Sequence, residues 1–133
     1  MAAIETASEL ITDLAQVIGL PEIPPDDSGG YHLTIGDDND VFIYPVDADR
    51  ILLVVPIAPL PLHPQYAVMN YLLRSNLFDS DLAPFQIATD DNSMLIQWGR
   101  LNIADFDGTL LAKAIDNLAQ RATAIRAELG PDT

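Results

Sequence analysis

The side chains able to do acid–base or metal chemistry are two histidines, His32 and His63, and an unusual number of aspartates. His32 falls out of step with the apolar Leu33 and Ile35, and His63 stands in a proline-rich connection. Neither has a nucleophile or a second ligand nearby in sequence, so both read as packing or solvent histidines. The run Asp37, Asp38, Asn39, Asp40 invites a calcium loop, but such a loop needs glycine at its sixth position and glutamate at its twelfth. Counted from Asp38 these positions are Ile43 and Asp49, so the run reads as an acidic hairpin turn, as does Asp90-Asp91. Gly29-Gly30 lacks the lysine and the following Ser/Thr of a nucleotide cradle. With no cysteine, disulfides, thiolate metal sites and cysteine nucleophiles fall away together. The sequence offers no catalytic residues, no metal site and no cofactor.

Charge narrows the partners further. The chain has 20 acidic and 6 basic residues, a formal charge of −14, yet 49% of it is hydrophobic. Disordered acidic segments are poor in aliphatic residues, so this is a folded domain with an acidic surface. It should repel phosphate backbones and anionic lipids, which leaves proteins and peptides as partners rather than nucleic acid or membrane. At 133 residues it is expected to form one domain, 1–133, with a single two-layer core. The opening MAAIETASEL has acidic residues where a secretory signal has basic ones, and no segment reaches the ~20 apolar residues of a membrane-spanning helix. Together with the absence of cysteine this suits a cytoplasmic protein.

The elements follow from periodicity. Ile4, Ala7, Leu10, Ile11, Leu14, Val17 and Ile18 recur every three or four residues, predicting a helix from Ala2 to Ile18 that Gly19 ends. Pro21, Pro24, Pro25 and the following Asp and Gly residues form a loop. Tyr31, Leu33 and Ile35 alternate with polar residues, and the acidic turn joins them to a strand at Val41 to Tyr44. After a turn at Asp47-Ala48-Asp49, Ile51 to Val55 has the composition of a central strand covered on both faces. Pro56, Pro59, Pro61 and Pro64 should block ladder and helix alike until Pro64 opens a helix running to about Ser75. The spacings Pro56-x-x-Pro59 and Pro61-x-x-Pro64 carry no basic residue, and Leu60 and Leu62 are suited to packing, so the stretch is a connection rather than a polyproline ligand. Phe85 to Thr89 and Met94 to Trp98 flank Asp90-Asp91-Asn92-Ser93 as a second hairpin. A long helix begins near Asp105, with Leu111, Ile115, Leu118, Ala122, Ile125 and Leu129 on its apolar face and Gly130-Pro131 as its stop. The order is α-β-β-β-α-β-β-α: an α+β fold, with a twisted antiparallel sheet packed by helices.

The second helix is apolar around most of its circumference, leaving Asn70 and Arg74 as a narrow polar stripe. One sheet covers one side of such a helix, and a domain of this size has few further layers, so a second copy of the chain is expected to cover another.

These features together resemble the small acidic chaperones of bacterial type III secretion, the group that includes the Tir chaperone. The resemblance spans nearly the whole chain. It lies in the size, the acidity, the element order, Ile18-Gly19-Leu20 after the opening helix, Leu33-x-Ile35 before an acidic turn, Leu72-Leu73-x-x-Asn76 leading to Leu77-Phe78, and Met94-Leu95-x-x-Trp98 before the last helix. It implies a homodimer that binds the extended, non-globular N-terminal segment of a secreted effector protein and keeps it soluble and ready for export, using no nucleotide. Candidate contacts with that segment are Leu10 and Leu14 on the first helix, with Leu33, Ile35, Phe42, Tyr44 and Leu95 on the strands. Periodicity gives an apolar face without saying what covers it, so each is equally a core position. For the dimer interface the resemblance points to Val68, Met69, Leu72 and Phe85. A non-enzymatic regulatory or adaptor domain binding a folded protein is the alternative. An enzyme using its acidic groups in a cleft ranks last, because most of the aspartates sit in turns while catalytic carboxylates need a special environment.

Overall fold

The computed structural model describes residues 4–76 and 85–129. Within them the chain forms α1 (Ala7–Ile18), β1 (Tyr31–Ile35), β2 (Asn39–Pro45), β3 (Arg50–Pro59), α2 (Tyr66–Arg74), β4 (Gln86–Thr89), β5 (Met94–Asn102) and α3 (Gly108–Leu129), with a single 3-10 turn at Ile103–Asp105. The five strands make one antiparallel sheet in the order β1-β2-β3-β5-β4. The α+β architecture and the element order are those the periodicity predicts.

The helix ends follow the local chemistry. Thr6 caps α1, its hydroxyl oxygen accepting from the Glu9 N–H at 3.1 Å, so the helix starts later than the apolar pattern alone suggests. Gly19 closes α1 in the left-handed region at φ 78°, where its lack of a Cβ carries no steric cost. At the start of α3 the Asp107 carboxylate accepts from the Leu110 N–H at 2.8 Å. The helix therefore begins at Gly108 rather than near Asp105, which belongs to the 3-10 turn. Asp13 of α1 accepts from the Gly108 N–H at 2.6 Å. A Cβ on Gly108 would stand 2.5 Å from the Asp13 carbonyl oxygen, so glycine is what allows α1 and the N-terminus of α3 to meet. The expected stop at Gly130-Pro131 lies outside the described residues, as do Leu77-Phe78 and the expected helix start at Ala2.

Alternation decides the core. Val41, Ile43, Ile51, Leu53, Val55 and Leu101 point to one face of the sheet, where Leu10 and Leu14 of α1 and Leu111, Leu118 and Ile125 of α3 bury them. Gln97 is the polar exception in that layer, fully buried, with its amide donating to the Leu118 carbonyl at 2.9 Å. α2 packs beside α3 toward the β4 end: Arg121 donates to Ser75 Oγ at 2.9 Å, and Leu72 is buried in the core.

Two expectations are corrected. β3 does not end before the prolines but runs through Pro56 to Pro59, pairing with β5 as Pro56↔Ile96 and Pro59↔Met94, with a register shift between Pro56 and Ala58. The Pro56 carbonyl accepts from Arg126, away from β5, on the side where β2 pairing stops at Val54. The missing proline N–H therefore breaks no bond of the ladder. Nor is β3 covered on both faces: Leu52 and Val54 are half-buried while Ile51, Leu53 and Val55 are wholly buried. A continuous apolar run thus marks a central strand with one face left open.

Candidate functional site

The open face is built from the other half of each strand's alternation. Cross-strand pairing sets His32, Phe42, Val54, Trp98 and Gln86 in one row across all five strands. Flanking rows carry Tyr44, Leu52 and Arg100 on one side and Pro56, Ile96 and Ala88 on the other. Their side chains are exposed or half-buried, giving a contiguous apolar band with polar residues mainly at its ends. An exposed apolar patch of this continuity marks an interaction surface.

Its aromatic end is pre-arranged. The rings of His32 and Phe42 stack at 4.6 Å between centroids with planes 6° apart, and Phe42 and Tyr44 lie nearly parallel at 6.3 Å. Asp40 orients the imidazole, its carboxylate lying 3.0 Å from His32 Nε2 and accepting from the Thr34 hydroxyl at 3.3 Å. The bond to His32 holds the Asp40 carboxyl below its usual range. Tyr44 leans on the backbone at Gly30, where a Cβ would come within 2.7 Å of the ring. Arg100 lies 5.4 Å over the Trp98 ring. These contacts limit rotamer freedom, so the rings lose little entropy when a partner covers them.

The acidic turns are occupied with holding themselves. Asp26 accepts from the Ser28 hydroxyl and from the N–H groups of Ser28 and Gly30, which lowers its pKa. Asp90 accepts from Asn92 and Met94. Asp47 accepts from Arg50 and Asp49, and the Arg50 bond lowers its pKa. Among the described residues no group of three or more His, Asp or Glu side chains is placed to hold a metal ion.

The residues expected from sequence divide between the two faces. Phe42 and Tyr44 are on the open face, whereas Ile35, half-buried at the end of β1, is on the covered side with Leu33 and packs against the core. Leu10 and Leu14 are fully buried on the inner side of α1, and Leu33 and Leu95 point to the same covered side of the sheet at 6% and 3% exposure. A peptide reaches those four only if the core opens. Of the interface candidates, Leu72 and Phe85 are buried within the chain, whereas Val68 and Met69 are half-buried on α2. Sequence reasoning missed Leu52, Val54, Ile96 and Trp98, whose alternation with buried neighbours was the available signal. It also missed Tyr66 and Leu73, exposed at 83% and 66% on α2.

Both the family and the fold have relatives. The Tir chaperone protein (CesT) family model matches residues 9–126. The type III secretion chaperone SycH of Yersinia pestis, solved in complex with a stable fragment of YscM2, is 28% identical with a TM-score of 0.77, over 90% of this chain and 99% of that one. The ExoU–SpcU heterodimeric complex from the type III secretion system of Pseudomonas aeruginosa contains a chain 25% identical at TM-score 0.78, over 92% of this chain and 98% of that one. The ExsC–ExsE complex, at 16% identity and TM-score 0.71 over 95% of each chain, shares the fold. A comparison with curated protein sequences finds no match. With the match running from α1 to the last turns of α3, the chain belongs to the Tir chaperone (CesT) family.

Proposed function

We propose that this protein is a type III secretion chaperone that binds the extended N-terminal segment of a secreted effector and keeps it soluble and competent for export. The observation that carries the reading is the open, apolar, aromatic-ended face of a five-stranded sheet in a protein of charge −14. That face offers area to the apolar side chains of an unfolded segment, and the acidic remainder keeps the complex in solution. SycH, which is similar over nearly its whole length, was solved holding a fragment of another protein.

Phe42 and Tyr44 are the contacts from β2, with Val54 and Trp98 continuing the surface toward β4; Ile35, in step with Leu33, packs against the core at the end of β1. Binding needs no nucleotide and no catalytic group: burial of apolar area drives it, and the cost of ordering the segment sets its limit. The chaperone acts in the cytoplasm as a homodimer joined through α2, whose exposed Tyr66 and Leu73 and half-buried Val68 and Met69 form the surface for the second copy.

Affinity capture from native cells, with limited proteolysis and mass spectrometry of what co-purifies, tests this. The expected result is one dominant partner protected only along an N-terminal segment of roughly 50 to 100 residues, a length able to wrap a small domain. A partner protected across a folded domain would favour an adaptor instead.

A further inference from the structure

An apolar face attracts apolar side chains without fixing which of them sits where, because the hydrophobic effect has no direction. Polar groups set the register, and the open face carries few. Among the described residues the five strands hold one acidic side chain, Asp40, although the chain has 20. The same strands hold two of its six basic residues, Arg50 and Arg100. Both are in step with the open face, Arg50 with Leu52 along β3 and Arg100 with Trp98 along β5. This face is therefore not acidic like the rest of the chain.

Asp40 and Arg50 are already matched. Asp40 lies 3.0 Å from His32 Nε2 and accepts from the Thr34 hydroxyl. Arg50 donates from Nε and Nη2 to Asp47 Oδ2 at 3.0 and 2.8 Å. The other cations are placed elsewhere: Arg121 donates to Ser75 and Arg126 to the Ile57 carbonyl, while Arg74 and Lys113 are exposed on α2 and α3.

Arg100 differs from all of these. It is exposed on the open face, across from Leu52, with Tyr44 next in the row. Among the described residues the ion pairs are His32–Asp40 and Arg50–Asp47, and Arg100 belongs to neither. Its guanidinium stands 5.4 Å over the Trp98 ring, which holds the planar group against the apolar band. Stacking uses the face of a guanidinium and leaves its edge N–H groups to donate.

We infer that Arg100 sets the register of the segment bound on the open face by pairing with one of its carboxylates, an Asp or Glu two residues from an apolar side chain seated on Trp98. Side chains on one side of an extended segment are two residues and about 6.7 Å apart, the spacing of Trp98 and Arg100 along β5, so one segment reaches both. A guanidinium binds a carboxylate bidentately. Over the rest of the surface the net charge of −14 repels an acidic side chain, so only this position accepts one, while a basic side chain here meets repulsion. That the occupant is an extended segment rests on the function proposed above; the preference for a carboxylate beside Trp98 does not.

Three capped peptides test the site without any effector: acetyl-Phe-Thr-Glu-Thr-Phe-amide and its counterparts with Gln and with Lys at the centre. Titrations are followed by the Arg100 Nε–H and Trp98 indole N–H resonances at about 0.15 M salt, where charges beyond roughly 8 Å are screened. The glutamate peptide should bind about two- to fivefold more tightly than the glutamine peptide, as an exposed ion pair allows, and the lysine peptide most weakly. Net charge acting alone predicts the opposite order, with lysine first. Arg100→Gln should abolish the glutamate preference, and Arg100→Lys should keep part of it, as a point charge without the fork. Should Arg100→Gln fail to fold, the order of the three peptides on the unaltered protein decides alone. Equal affinities, lysine first, no shift at either resonance with millimolar peptide, or a glutamate preference that survives Arg100→Gln overturns the inference.

The segment recovered by affinity capture supplies the second arm, its acidic residues replaced by their amides one at a time. One replacement should weaken binding to the unaltered protein about tenfold and leave binding to Arg100→Gln unchanged. A segment with no such acid, or replacements that weaken both proteins equally, overturns the pairing. If no segment is recovered the proposed function fails, while the peptide order still judges Arg100.

Discussion

The two faces of the sheet are made from the same strands and nearly the same residue types, yet they serve opposite ends. Leu53 and Val55 are sealed beneath α1 and α3, while Leu52 and Val54, one residue away, stay half-open. Apolar character along a strand therefore reports how much surface wants cover, and only the arrangement of helices shows which half the chain covers itself. The uncovered half is where a partner is worth most.

The largest expected effect lies on the covered face. Leu14→Ala should cost about 2–5 kcal/mol of stability through the cavity it leaves, measured by denaturant unfolding. A cost under ~1 kcal/mol with lost partner binding would move Leu14 from the core to the contact surface. On the open face the pattern should invert. Phe42→Ala and Trp98→Ala should cost about 1 kcal/mol or less in stability, since both side chains are only partly covered. Each should weaken partner binding by ~2 kcal/mol, roughly thirtyfold in Kd by calorimetry, as aromatic anchors do. Equal losses of stability and binding would dissolve the distinction between the faces.

A third comparison concerns α2. Val68→Asp should leave the fold intact and shift the protein from dimer to monomer by light scattering at micromolar concentration. If the Val68→Asp protein remains a folded dimer, the second copy sits elsewhere.

The smallest effect is a matter of pH. Hydrogen bonds to Asp26 lower its pKa from 3.8, so its stabilising contribution is complete above about pH 4 and lost as pH falls through the lowered folded value. The difference in Tm between the unaltered protein and Asp26→Ala should therefore be constant near neutrality and narrow in that acid range. A difference that widened on acidification would contradict the sign.

Much of this was legible in the residues. Helical spacing gave α1 and α3, and Gly36 to Asp40 and Asp90 to Ser93 gave both hairpin turns, because turn chemistry is local. The prolines misled because a proline blocks a ladder only when its N–H is needed. Whether Pro56 faces β5 or the gap beside Arg126 is a matter of register, which no local pattern carries. The site was half-legible for a related reason. Alternation separates Phe42 and Tyr44 from Val41 and Ile43, but which set the helices cover is settled by tertiary packing. Thus Leu10, Leu14, Leu33 and Leu95 could not be told from contact residues in advance.

The central claim is that the partner lies on the open face, and the most direct measurement is hydrogen exchange by mass spectrometry on the free protein and on its complex with the captured effector segment. Protection should appear in peptides covering Tyr31–Pro45 and Met94–Asn102, with α1 and α3 unchanged. Protection confined to the outer surfaces of α1 and α3, with β2 and β5 unaffected, would contradict it.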